Sequence, residues 1–179
     1  MRTVTPSAPP PAPAASARSP GLGSFPCARA PTLRRRDADA VRELHDLALA
    51  DGGAHVGSGP WDDDLRSIRR SYLQDGGEFL VGLLNGRLVA MGALRHVTAA
   101  VAEIKRMRVH PRFQRRGFGS TVLARLEDRA RQLGDTKLRL DTTIMQTAAQ
   151  ALYAREGYSP VGRGQLAGVE VIYYEKRLR

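Results

Sequence analysis

The chain has one cysteine, Cys27, and three lysines among its 179 residues. A single thiol can close no internal disulfide and cannot by itself form a thiolate metal site. The four histidines, His45, His55, His96 and His110, include no pair four residues apart, so no helical zinc motif is present and no metal is expected. Long apolar runs are also missing. Runs such as Phe79 to Leu84, interrupted by Gly82, are far too short to cross a bilayer. These absences suggest a soluble, cytoplasmic protein without a membrane partner.

The scarcity of lysine gives the net charge of +10 an unusual source, because the base is almost all arginine. Such charge calls for an anionic partner without naming it. Nucleic acid, an anionic membrane surface and a phosphate-rich small molecule all qualify, and where the charge sits must decide. Residues 1–32 carry eight of the eleven prolines, seven alanines, four serines and no acid. Too few large apolar groups are present to offset the entropy of ordering, so this stretch is expected to be a disordered, dispensable tail, either an extension without function or the product of a misplaced start. Its three arginines leave +7 on residues 33–179, which are expected to form one domain.

From Leu33 the elements alternate. A short strand is expected at Leu33–Arg35. A helix follows, capped by Asp37, with Val41, Leu44 and Ala48 at helical spacing. A second helix begins at Asp62-Asp63-Asp64, where negative charge favours a helix start, and carries Leu65, Ile68 and Tyr72 on one face. Three apolar strands come next, at Glu78–Leu84, Arg87–His96 and Val101–Val109, the first two joined by Asn85-Gly86, a strong hairpin signal. A helix at Gly117–Leu133, a strand at Lys137–Thr142 and a helix at Gln146–Arg155 follow. Strands near Ser159–Gly162 and Val169–Lys176 close the chain. The order is that of a mixed α/β domain, an antiparallel meander running into a βαβ crossover.

The most informative stretch lies between the strand ending at Val109 and the helix starting at Gly117. Pro111 stops the strand, and the connecting loop contains Gln114, Arg115, Arg116, Gly117, Phe118, Gly119 and Ser120. Free N–H groups at a helix start, together with its dipole, attract an anion. Glycines let a phosphate approach the backbone, and arginines can bind it bidentately. This is a pyrophosphate cradle of an uncommon kind. A dinucleotide fingerprint needs Gly or Ala where Val122 stands, and a Walker loop needs a lysine between Gly119 and Ser120.

Gln114-Arg115-Arg116-Gly117-Phe118-Gly119 resembles the acyl-CoA signature Gln/Arg-x-x-Gly-x-Gly/Ala of the GNAT superfamily of N-acetyltransferases, and the resemblance extends over roughly residues 33–178. It implies a largely antiparallel central sheet of six to seven strands, splayed between its two central strands, with about four helices on its faces. It implies that the amides from Gln114 to Ser120 bind the CoA pyrophosphate, and that backbone groups of Met107, Arg108 and Val109 pair with pantetheine. The segment from Gln146 through Ala149, Leu152 and Tyr153 to Gly157-Tyr158 looks like the family's Asn-x-x-Ala-x-x-Leu-Tyr…Gly-Phe/Tyr pattern, with Gln146 in place of the CoA-contacting Asn. Acetyl-CoA is then the expected cosubstrate, and no nucleic-acid partner is needed to explain Arg106, Arg108 and Arg112.

The expected activity is direct acetyl transfer from acetyl-CoA to a primary amine of a small molecule or protein. A non-catalytic acyl-CoA-binding module is the alternative. Tyr153 would protonate the departing thiolate, or else serve as a packing tyrosine. Glu103, eleven residues before Gln114, resembles the family's catalytic glutamate and would take the amine's proton, or else form a cross-strand ion pair with Arg95 or Arg106. A backbone N–H at Met107 or Val109 would stabilise the developing oxyanion. Acceptor specificity is expected from residues 51–64 and 163–168. Trp61 and the three aspartates there could hold a cationic amine or simply cap a helix. The acceptor itself is not legible, and a homodimer is left open.

Overall fold

The computed structural model describes residues 27–29, 35–52, 59–166 and 168–179. Most of the expected tail, and residues 53–58 of the expected specificity loop, lie outside them. Cys27–Arg29 do not. They form a first strand, β1, antiparallel to Glu78–Leu84 (β2), so the tail is not structureless throughout. An edge strand leaves a row of unpaired amides and carbonyls that any extended segment can satisfy. Three residues between Pro26 and Pro31 suffice. Of the strand expected at Leu33–Arg35, residues 33 and 34 lie outside the described residues, and Arg35 opens helix α1, Arg35–Asp51.

The expected second helix is broken into pieces. A 3-10 turn at Pro60–Asp62 leads into α2, Asp63–Arg66, and a π-helical turn follows at Arg69–Leu73. Ser67 leaves helical geometry between them, with φ −140° and ψ 62°. The pieces still bury Leu65, Ile68 and Tyr72. The next two strands are Arg87–Thr98 (β3) and Val101–Val109 (β4). Asn85 and Gly86 both take positive φ, 51° and 76°, as a tight hairpin turn between β2 and β3 requires. A 3-10 turn at Pro111–Phe113 precedes α3, Phe118–Gln132. Then come β5 (Lys137–Thr143), α4 (Thr147–Arg155), β6 (Ser159–Leu166) and β7 (Val169–Arg177). Strand β6 runs four residues further than expected, so the last hairpin closes in a tight turn at Gly168 rather than an open loop.

The seven strands form one sheet in the order β1-β2-β3-β4-β5-β7-β6, antiparallel except between β4 and β5. Each face carries its own core. Leu94, Ala102, Ile104 and Leu138 pack with Val122, Leu126 and Tyr153 of α3 and α4 on one side. On the other, Phe79, Met91 and Ala93 pack with Val41 and Leu44 of α1 and with Leu65 and Tyr72. All three lysines meet carboxylates: Lys105 with Asp141 at 3.1 Å, Lys137 with Glu175 at 2.9 Å and Lys176 with Glu127 at 2.7 Å. Among the described residues no helix is long and apolar enough to cross a membrane.

Two irregularities interrupt β4. Its parallel pairing with β5 covers only Val101–Glu103 against Lys137–Arg139, so the rest of the strand separates from its neighbour. Its pairing with β3 skips from Lys105↔Ala93 to Arg108↔Met91, placing Arg106 and Met107 opposite Gly92 alone. This is a bulge, with Arg106 at φ 56°. The inserted Met107 lies so close to β3 that a Cβ at position 92 would stand 2.7 Å from its sulfur and 2.7 Å from Cγ1 of Val122. Val122 is stiff and fully buried, so Gly92→Ala is expected to cost about 1–3 kcal/mol. The check is a thermal melt, in which the midpoint should fall by roughly 2–10 °C for a chain of this size.

Candidate active site

The bulge is held by the side chain it displaces. Arg106 donates from Nε to Oδ2 of Asp64 at 2.9 Å and from Nη1 to Oδ1 of Asp62 at 2.9 Å. Its Nη2 reaches Oδ1 of Asp64 and the carbonyl of Trp61. Burial opposes its charge, but the bonds and charge of Asp64 outweigh this and raise its pKa. The partnership leaves Asp64 below the usual carboxylate range: burial pushes it up, while bonds from Arg106 and Tyr72 bring it down further. The acidic cluster is therefore committed internally. Asp62 and Asp64 serve Arg106, and Asp63 lies 3.1 Å from Arg66.

Where β4 leaves β5, two cavities meet. One is a groove of about 440 Å³ running from Gln114, Arg115 and the start of α3 to α4. The other is a chamber of about 160 Å³, walled by His45, Trp61, Asp62, Lys105, Arg106 and Asp141 and closed on one side by Leu166, Val169 and Val171 of the last hairpin. Met107, Arg108, Gln146, Ala149 and Tyr153 line both. The divergence of β4 and β5 thus opens a passage from groove to chamber.

One end of the groove gathers free donors. Gly117, at φ 84°, caps α3 without a side-chain bond, leaving the N–H groups of Phe118, Gly119 and Ser120 without intrahelical partners. Arg115 lines this end with φ 56°, and Arg155, a cation the sequence motifs do not single out, donates to Oγ of Ser120 at 2.9 Å. Gln114 donates to Asp51 at the end of α1 at 3.1 Å. Gln146 ties β5 to α4 by accepting from Thr142 at 3.0 Å. Two motif side chains turn elsewhere: Arg116 lies 5.4 Å over the ring of Phe113, and Phe118 is buried in the core.

This cradle belongs to a known family. The sequence model described as Acetyltransferase (GNAT) family matches residues 40–158. The chain is a member of that family. It is 36% identical over 100 residues to an IAA acetyltransferase of Azospirillum brasilense, covering 55% of this chain and 63% of that one. It is 34% identical over 85 residues to an aminoalkylphosphonate N-acetyltransferase of Salmonella typhimurium, covering 45% and 55%. The chain thus spans less than two thirds of either relative's length. An acetyltransferase structure from Salmonella typhimurium, solved with its cofactor acetyl-CoA, shares the fold with a TM-score of 0.65 at 20% identity, over 82% of this chain and 90% of that one.

Against the GNAT expectation, Tyr153 and Glu103 fare differently. Tyr153 is buried at the junction of groove and chamber, its ring 5.8 Å from Tyr158 and 6.0 Å from Tyr174. Burial, reinforced by Asp141, pushes its hydroxyl up to about 12 against the pull of Arg108. Glu103 is outside the chamber wall. Oε2 accepts from Nε of Arg95 at 2.7 Å and lies 2.6 Å from Nη2, while Oε1 lies 3.4 Å from Nε of Arg139. Both oxygens thus face guanidinium groups, the ion pair expected with Arg95 being joined by one with Arg139. Asp141, on β5, lines the chamber instead. Its signal in the sequence is a carboxylate on a strand, where Asp is disfavoured.

His45 shows how tightly the chamber is charged. It is 2% exposed, with Nε2 3.1 Å from Oδ1 of Asp62. Burial, then Arg108 and Arg106, lower its pKa from 6.5 to about 4, with Asp62 opposing. Between these values the unfolded chain binds the proton and the fold does not, so stability is complete above pH 6.5 and drains as pH falls toward 4. The loss should be on the order of 2–4 kcal/mol. Urea midpoints at several pH values test this, and His45→Gln should flatten that limb of the curve.

Proposed function

We propose that the protein transfers the acetyl group of acetyl-CoA directly to a primary amine. The single observation behind this reading is that the groove and the chamber join at Tyr153. When bound, acetyl-CoA supplies an acyl thioester whose C–S bond breaks as the amine nitrogen bonds to the acetyl carbon. The free amides of Phe118 to Ser120, with Arg115 and Arg155, suit its pyrophosphate. The N–H of His110 bonds to Val89 of β3. Since successive strand amides face opposite edges, those of Val109 and Met107 face the opening toward β5. There they are available to the pantetheine arm and to the oxygen that gains charge during transfer. Tyr153, held protonated at neutral pH, is suited to give its proton to the departing sulfur. The amine must shed a proton, since a free amine of pKa about 10 arrives as ammonium. We assign its reception to Asp141, directly or through water, rather than to Glu103.

Two measurements test this reading. Acetyl-CoA should raise the melting temperature of the wild type by mass action. Gly117→Ala combined with Gly119→Ala should abolish the rise, because the first position has φ 84° and a Cβ at the second would sit 3.2 Å from Leu152. An undiminished shift in the double variant would exclude the cradle. Tyr153→Phe should lower turnover by roughly 10²- to 10⁴-fold while keeping the shift. Full turnover without the hydroxyl would exclude its role as acid.

A further inference from the structure

The cations on the chamber wall are not equally matched. Lys105 has Asp141 at 3.1 Å, and Arg106 has Asp62 at 2.9 Å and Asp64 besides. Arg108 has no carboxylate within 4.0 Å among the described residues, and all eighteen acidic residues of the chain are described. No carboxylate side chain of this protein pairs with it. Of its five N–H donors, Nη1 reaches the carbonyl of Met107 at 2.7 Å, while Nε is buried and meets no acceptor. Burial, and after it the charge of Arg106, push its pKa down to about 10, which leaves it a cation at neutral pH. A cation so placed, with donors unmet, is costly without an anion to pair with.

Arg108 stands at the junction, lining groove and chamber alike, and its charged neighbours lie on the chamber side. Arg106, Tyr153, Asp62 and Asp141 bear on Arg108, and Arg108 bears on His45. All of these neighbours line the chamber, and of them only Tyr153 lines the groove as well, whose far end has Arg115 and Arg155 of its own. Thr143 adds a second unmet group to the same wall, a buried Oγ1 without a partner. Asp141, of opposite sign, also bears on both Arg108 and Tyr153. The chamber thus presents one unpaired cation, and near it a carboxylate, beside the hydroxyl of Tyr153.

We propose that the acceptor is a small amine that also carries an acid group, a carboxylate or a phosphonate, and that this group pairs with Arg108 while the amine lies toward Asp141 and Tyr153. The proposal rests on the acetyl-transfer reading of the site. At about 160 Å³ the chamber has room for on the order of ten water-sized groups, which suits a short amino acid or aminophosphonate. Paired planar donors explain why arginine stands here, since a guanidinium grips either acid with two parallel bonds.

The test is acetyl-CoA consumption with matched amines: β-alanine and 2-aminoethylphosphonate against β-alanine amide and propylamine, which lack the acid group. The wild type should favour the acid-bearing amines in kcat/KM by roughly 10- to 100-fold, with the difference mainly in KM. The stronger of the two acids identifies the group. Arg108→Gln should reduce the preference to a few-fold, and Arg108→Lys should restore part of it, while acetyl-CoA still raises the melting temperature of both variants. Equal or better use of the amines without an acid group overturns the proposal and leaves the transferase reading standing. So does an Arg108→Gln variant that slows every amine alike through kcat, which would place Arg108 in the transfer step itself. No acetylation of any amine overturns the proposal and the transferase reading together.

Discussion

The site depends on one guanidinium group. Arg106 sits in the left-handed region in the middle of a strand, a conformation that costs roughly 1–3 kcal/mol and persists only if its surroundings impose it. Asp62 and Asp64 impose it. Removing that arginine would strand two largely buried carboxylates, at about 3–5 kcal/mol by comparison with other broken buried pairs. The bonds join the end of β4 to the 3-10 turn and α2, which lie against α1. One ion-pair cluster thereby fixes both the bulge and a wall of the chamber.

The bulge and the loss of pairing with β5 act in sequence along the same strand. Parallel pairing ends at Glu103, and the bulge begins three residues later. Past the bulge, side-chain direction along β4 is reset. Met107 turns toward α3, while Arg108 borders the opening. Glu103, fastened between Arg95 on one neighbouring strand and Arg139 on the other, sits where the three strands are still joined. It clamps the sheet at the last point before the strands part.

Much of this was legible in the sequence, and the exceptions have physical causes. The meander and its Asn-Gly turn follow from local patterning, and so does the cradle, because Pro111, Gly117 and Gly119 constrain the backbone directly. A bulge with an arginine at positive φ leaves no such trace, since Ile104-Lys105-Arg106 reads as ordinary strand. The aspartates at 62–64 were legible as a helix start, but their ion pairing with Arg106 spans more than forty residues of chain. Asp141, Arg155 and the role of His45 were missed for the same reason: each acquires meaning only from neighbours distant in sequence. Strand β1 was missed because pairing with a sheet edge can order three residues that have little tendency to order alone.

A protein that gathers an activated acyl thioester in its groove places its own amines within reach of that reagent. Here the positive charge is carried almost wholly by guanidinium groups, which stay protonated and are poor nucleophiles at neutral pH. The three ε-amines present each lie against a carboxylate, Asp141, Glu175 or Glu127. Choosing arginine over lysine therefore lets the chain remain strongly basic while offering few nucleophilic side chains to any activated acyl group.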